Sequence, residues 1–164
     1  MRILRLGREH RAEVARINRV TLEALADKSF YIPFPDEELA TLFDAPDPVM
    51  YGVADDDGGL VAVSGLFFHF DDLLPGLEGL PVDPARAAEI GASMTLPAYR
   101  GRGYMSMLNR ALVREARQAG VRCLLATAHP DNTASNRSLQ RMGMQQRATF
   151  LRGAYLRTLY LMDI

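Results

Sequence analysis

The stretch Leu96-Pro97-Ala98-Tyr99-Arg100-Gly101-Arg102-Gly103-Tyr104-Met105-Ser106 is the junction on which the reading of the whole chain turns. Before it, Ala88 to Leu96 reads as a strand, and Pro97 stops it because proline brings no ladder N–H. After it, Tyr104 to Ala119 reads as a helix: Leu108, Ala111, Leu112 and Ala116 share one face, and Gly120 follows as the C-terminal cap. Backbone amides at a helix start have no partners and carry about half a positive charge, which suits phosphate. Gly101 and Gly103 let the backbone approach a ligand with no Cβ in the way. Arg100 and Arg102 add donors that pair with phosphate in bidentate fashion. Together Arg100, Gly101, Arg102, Gly103, Tyr104, Met105 and Ser106 describe a diphosphate cradle. It is not a Walker loop, since no Gly-Lys-Ser/Thr follows, nor a dinucleotide fingerprint, since the third glycine is missing.

Working outward, Arg2 to Leu6 reads as a first strand, and Arg8 to Asp27 as a helix with Val14, Ile17, Val20 or Thr21, and Leu25 at helical spacing. Pro33 and Pro35 interrupt. Asp36 to Phe43 is a short second helix entered through Asp36 as N-cap. Met50 to Ala54 and Leu60 to Phe70 flank the turn Asp55-Asp56-Asp57-Gly58-Gly59 and form a hairpin. A proline-rich, acidic loop covers 71–86. Arg122 to Ala128 is an apolar run of the kind buried on both faces. Asp131 to Met142 is a helix closed by Gly143, and Met144 to Leu151 with Tyr155 to Met162 make a last hairpin. The order β-α-α-β-β-β-α-β-α-β-β implies a mixed α/β (α+β) fold around a largely antiparallel sheet of six to seven strands, flanked by about four helices. The whole of 1–164 reads as one domain.

Composition narrows the classes. The 164 residues are 48% hydrophobic, enough for one well-packed core and short for two domains. No run approaches the ~20 apolar residues needed to cross a bilayer, and Met1-Arg2-Ile3-Leu4-Arg5-Leu6 carries charge inside its apolar run, unlike a signal peptide. Cys123 is the lone cysteine, which fits a reducing cytoplasm. His10, His69 and His129 are scattered, and no metal site is expected. Net charge is −1, but residues 1–89 hold 17 acids against 8 bases while residues 90–164 hold 3 against 11. A basic half in a near-neutral protein points to a local anion site rather than to general nucleic-acid affinity.

Tyr99-Arg100-Gly101-Arg102-Gly103-Tyr104, following a strand and opening a helix, resembles the acyl-CoA-binding signature of the GNAT acyltransferase superfamily. That signature runs Gln/Arg-x-x-Gly-x-Gly/Ala; Arg100 and Gly103 match it, and Met105 departs where a small residue normally sits. Downstream, His129-Pro130-Asp131-Asn132-Thr133-Ala134-Ser135-Asn136, ending in Arg141-Met142-Gly143-Met144, looks like the family's second motif. The resemblance covers roughly residues 88–146. It implies a GNAT-like sheet splayed between strands four and five, with the pantetheine arm of acetyl-CoA or coenzyme A in the gap. Main-chain contacts from Met94 and Leu96 and a side-chain contact from Asn132 would follow, although Asn132 reads equally well as a helix N-cap, with Asp131 competing for that role.

The implied reaction is transfer of an acyl group, usually acetyl, by direct attack of a primary amine on the thioester. Glu89 is the candidate base, on one strand face with Gly91, Ser93 and Thr95 by simple alternation; its other reading is an ion-pair partner. Many members carry a tyrosine four residues before the helix-ending glycine, where this chain has Leu139. Ser135, Ser138 and Tyr155 are then the candidate hydroxyls. His129 could move protons; His69 and Cys123 read as packing residues. Tyr31 and Phe34, with Phe43, are expected to wall the acceptor pocket, and Asp36, Glu37 and Glu38 to attract a cationic amine. The acceptor is a small-molecule or peptide amine, with no nucleic-acid or membrane partner. The final sheet edge and the apolar 31–43 segment are candidate surfaces for a homodimer. Two alternatives stand beside this reading: a non-catalytic acyl-CoA sensor, and a nucleic-acid module with steep salt dependence.

Overall fold

Two neighbouring parallel strands that begin as partners and then part define the architecture. In the computed structural model, which describes residues 1–164, β4 (Ala87–Thr95) pairs β5 (Cys123–Ala128) only through Ala87↔Cys123, Ala88↔Leu124 and Glu89↔Leu125. Beyond Glu89 the two strands no longer pair with each other and a cleft opens between them. The remaining strands are β1 (Arg2–Arg5), β2 (Val49–Ala54), β3 (Leu60–Phe67), β6 (Gln145–Arg152) and β7 (Tyr155–Asp163). All seven form one sheet in the order β1-β2-β3-β4-β5-β7-β6, antiparallel at every pair except β4–β5. The α-helices are α1 (Arg11–Ala24), α2 (Asp36–Thr41), α3 (Tyr104–Gln118) and α4 (Thr133–Met142). The order of elements and the splay agree with the sequence reading.

The sheet is sandwiched. On one face α3 buries Leu108, Ala111, Leu112 and Ala116 against the strands, with Leu124, Ala126 and Tyr160 in the same core. On the other, Val14 and Ile17 of α1 pack fully buried with Met50, Val63 and Met94. Truncating any of these leucines to alanine costs about 2–5 kcal/mol. Both α3 and α4 end in the same way: Gly120 (φ +79) and Gly143 (φ +100) take the left-handed conformation. Val121 N–H then donates to Ala116 and Met144 N–H to Leu139, so the last carbonyls are satisfied.

Several local expectations are corrected. The helix at Arg8 opens as a 3-10 turn, Arg8–His10, and α1 ends at Ala24, where Lys28 Nζ reaches back to the carbonyls of Leu22, Glu23 and Leu25. α2 is capped by Pro35, with Asp36 inside its first turn. The 71–86 segment is ordered: a 3-10 helix, Asp71–Leu77, buries Leu73 and Leu77 with Leu125, Leu159 and Leu161, and a second spans Pro84–Arg86. His69 does not pack. Its side chain is 85% exposed and bonds Asp47. Cys123 is buried. No helix is long and apolar enough to cross a membrane.

Candidate functional site

The chain leaves β4, makes a 3-10 turn at Pro97–Tyr99 and enters α3 at Tyr104. Gly101 and Gly103 have φ of +76° and +78°, and a Cβ at either would meet nothing within 4 Å. The demand for glycine here is therefore conformational, set by the left-handed backbone rather than by crowding. Gly103 is the α3 N-cap and offers no side chain, and the first amide bonded back to it is that of Met107. The amides of Tyr104, Met105 and Ser106 are left without helical acceptors. Arg100 Nε donates to Thr95 O at 3.3 Å. Arg102 donates to Ala98 O at 3.1 Å and lies 4.9 Å from the Tyr99 ring centroid. Tyr99 in turn bonds Asp55 in the β2–β3 turn, which ties the loop to the sheet.

The free edge of β4 is one residue out of phase with the expectation. Leu96 N–H donates to Val61 O and Leu96 O accepts from Tyr99, both at 2.9 Å, so neither group faces the gap. Met94 pairs Val63, and because an antiparallel ladder alternates its direction residue by residue, its main chain also turns to β3. Thr95 and, two residues earlier, Ser93 are the positions whose main chain turns toward β5. Arg100 resting on Thr95 O agrees with this. The simple alternation of side chains fails too. A bulge at Ala92 (φ +51) and Ser93, opposite Ser64, shifts the register. Ser93 therefore bonds Ser64 across the ladder, while Glu89 and Gly91 share their face with Met94.

A cleft of about 960 Å³ runs from the glycine loop down the splay. It is lined by Tyr31, Phe34, Glu89, Met94, Asn132 and the whole run Arg100 to Ser106; Leu96 and Phe43 are not among its walls. Asn132 is the α4 N-cap, its Oδ1 accepting from Ser135 N–H at 3.3 Å, so Asp131 does not hold that position. Ser135, Ser138 and Leu139 line the cleft, whereas Tyr155 does not. His129 also lies outside: its Nδ1 accepts from Asp131 N–H and its ring packs 4.9 Å from that of Phe30. Of the acids at α2 only Glu38 reaches the cleft. Burial pushes the Tyr31 phenol well above its ordinary value, so it stays protonated.

Glu89, the last residue of β4 paired to β5, is 6% exposed and holds Arg152 of β6 through both oxygens, at 2.5 and 3.0 Å. Arg152 also grips Asp72 at 2.8 and 3.0 Å and reaches Thr127 Oγ1 at 3.2 Å. Burial raises the Glu89 pKa and Arg152 opposes the shift. Burial works against the Arg152 charge, but bonds from Glu89 and Asp72 outweigh it and push that pKa up. Neither Arg152 nor Arg157 was singled out from the sequence. The available signal was parity: Arg157 sits in register with Leu159 and Leu161 on what reads as a buried strand face.

The comparisons with known proteins agree with this geometry. Residues 19–144 match the Acetyltransferase (GNAT) family. A search of curated proteins finds no match. Among solved structures, an N-acetyltransferase from Staphylococcus aureus Mu50 superposes with a TM-score of 0.76 at 17% identity, covering 99% of this chain and 97% of that one. The yncA protein of Salmonella typhimurium, solved with its cofactor acetyl-CoA, gives 0.72 at 19% identity, covering 99% and 93%. The ribosomal-protein-S18-alanine N-acetyltransferase of Escherichia coli gives 0.72 at 15%, covering 99% and 93%. With the family match spanning most of its length, this chain belongs to the GNAT acetyltransferase family.

Proposed function

We propose that this protein transfers an acetyl group from acetyl-CoA to a primary amine by direct attack on the thioester. The single observation that carries the reading is the splay beyond Glu89↔Leu125, which leaves an unpaired β4 edge leading straight into the glycine loop and the uncapped start of α3. The main-chain groups of Ser93 and Thr95 that turn toward the gap find no strand partner there, and the amides of a pantetheine arm would supply one, displacing Arg100 from Thr95 O. The open amides of Tyr104, Met105 and Ser106, with Arg100 and Arg102 swung out from their present carbonyl contacts, then hold the diphosphate. Asn132 lines the cleft with its oxygen capping α4, and its side-chain amide N–H would then be the group offered to the cofactor.

In the chemical step the amine nitrogen forms a bond to the thioester carbon, the C–S bond breaks, and one proton leaves the amine. Glu89 has both oxygens on Arg152. We therefore assign it to holding that guanidinium, with the amine losing its proton to water at the open mouth of the cleft. Leu139 has no proton to give the departing thiolate, and Ser135 and Ser138 of α4 are the hydroxyls that line the cleft.

Thermal unfolding with acetyl-CoA, coenzyme A and ATP tests the binding half of the proposal. A ligand bound only by the folded state raises its midpoint by mass action. Both coenzyme A species are expected to raise it and ATP to leave it unchanged. Arg100→Ala/Arg102→Ala should weaken binding by roughly a hundredfold, at about 1.5 kcal/mol per charged contact, while the unliganded midpoint holds. Thiol release with a panel of amines tests the transfer half; binding without turnover on any amine would favour a sensor instead.

A further inference from the structure

Arg157 is the one guanidinium buried in the cleft wall that no carboxylate answers. It is 2% exposed, and its Nη1 donates to Leu156 O at 2.7 Å. Its Nη2 is buried with no partner at all. The half-buried Arg152 of the same wall is compensated, because the cleft acids Glu89 and Asp72 are both committed to it. Glu38, the third acid of the cleft, stands exposed on α2 and makes no bond to either arginine. The Arg157 guanidinium also lies over the ring of Tyr155, 5.2 Å from its centroid. Arginine stays ionised in proteins, and a buried charge without a counter-ion is costly. Burial and the neighbouring Arg152 charge both work against its protonated form. Such a group calls for a counter-anion, and a ligand in the cleft that Arg157 lines can bring one.

The register says where that anion would lie. Residues paired across neighbouring strands share a face. Glu89 pairs Leu125, Leu125 pairs Leu161 and Thr127 pairs Leu159. By alternation along β7, Arg157 is on the same face as Leu159 and Leu161, and so on the same face as Glu89. This is the face of α1, of the 3-10 helix Asp71–Leu77 and of the segment that brings Tyr31 and Phe34 to the cleft. The diphosphate cradle is at the start of α3, on the opposite face, so Arg157 is not part of it.

We infer that Arg157 recognises the carboxylate of the acceptor, and that the acceptor is therefore an amine that also carries a carboxylate: an amino acid or a close analogue. The inference rests on the transfer reading above and names its acceptor class. Planar bidentate pairing would occupy the orphaned Nη2, and the aromatic side chains of Tyr31 and Phe34 would cover the rest of the molecule. A polycationic amine finds the wrong sign of charge at this depth. The same carboxylate chemistry could arrive on the acyl group of a dicarboxylic thioester instead, and the experiment separates the two.

Acetyl transfer is measured for free α-amino acids and their C-terminal amides, in the wild type, Arg157→Gln and Arg157→Lys. At least one free acid should be used roughly 10- to 100-fold better than its amide, as expected for loss of one charged hydrogen-bonded contact. Arg157→Gln should abolish that ratio by raising the KM for the acid, leaving the KM for acetyl-CoA unchanged, and Arg157→Lys should restore part of it. Calorimetric titration of the same acids and amides into the protein saturated with coenzyme A reads recognition without turnover. Binding of an acid that depends on Arg157, in a protein that transfers nothing, would sustain the inference and sink the transfer reading. Equal use or binding of acid and amide by the wild type overturns the inference. So does a preference for succinyl-CoA over acetyl-CoA, with carboxylate-free amines, that disappears in Arg157→Gln.

Discussion

The two ends of the cleft are built by different means. The cradle end is made of backbone from one continuous segment: a strand edge, two left-handed glycines and the first amides of α3. The far end is made of side chains from four separate places, with Glu89 on β4, Asp72 on the 3-10 turn, Arg152 on β6 and Arg157 on β7. The first is stable without its charges, because its arginines are exposed and bonded only to carbonyls of their own loop and strand end. The second is an ion-pair network that runs from exposed Asp72 through Arg152 to buried Glu89, with Arg157 unpaired beside it. Mutation should therefore separate the ends: changes at the cradle should cost coenzyme A binding, and changes to the Glu89–Arg152–Asp72 network should cost stability.

Arg152→Ala is the most damaging test of that division. It strands Glu89 buried and unpaired beside Asp72, and breaking a buried pair from one side costs about 3–5 kcal/mol. Burial already raises the Glu89 pKa, and Arg152 is what opposes the rise. Without Arg152 the folded-state value lies further above the unfolded one. A carboxyl shifted upward favours the folded state at low pH and loses that contribution as pH climbs through the folded value. Urea unfolding should consequently find Arg152→Ala much less destabilised near pH 5 than near pH 8. An equal loss at both pH values would mean that Glu89 relaxes out to solvent and that the far end is not a closed network.

Gly103→Ala probes the cradle with a smaller effect on the fold. At φ +78 an alanine is strained by roughly 1–2 kcal/mol, partly offset because alanine also restricts the unfolded chain. A net loss of about 1 kcal/mol in chemical denaturation is expected, since the added methyl meets no neighbour. Acetyl-CoA binding, read by the ligand-induced rise in midpoint, should suffer more than that, because the methyl stands where a phosphate would approach the α3 amides. A variant that loses stability and keeps its ligand response would move the diphosphate away from this turn.

The same contrast explains what could be read from the sequence. Pro97, Gly101, Gly103, Gly120 and Gly143 each act locally, so strand end, cradle and both helix ends are legible residue by residue, and the order of elements follows. The β4 bulge is not: its left-handed residue is Ala92, beside a glycine that a reader would choose first. That one irregularity is why Ser93 and Thr95 do not share a face with Glu89 as simple alternation expects. The turn at Asp71–Leu77 left a trace in its apolar residues Leu73 and Leu77, both of which it buries. The Glu89–Arg152 pair spans 63 residues and leaves no local pattern. Only the fold brings it together.

Glu89→Gln makes the smallest change and asks the sharpest question of the far end. Glutamine keeps the shape and one acceptor oxygen, and Arg152 retains both bonds to Asp72, so the fold should lose less than it does in Arg152→Ala. If Glu89 only holds Arg152, acetyl transfer should fall by about threefold or less. The rise of kcat/KM with pH should keep following the acceptor amine in both proteins. If Glu89 takes the proton itself, the rate should instead fall by about 10²–10⁴-fold, the usual worth of a positioned base, and an ionisation should vanish from the profile. The geometry favours the first outcome, since both carboxylate oxygens of Glu89 are already committed to Arg152.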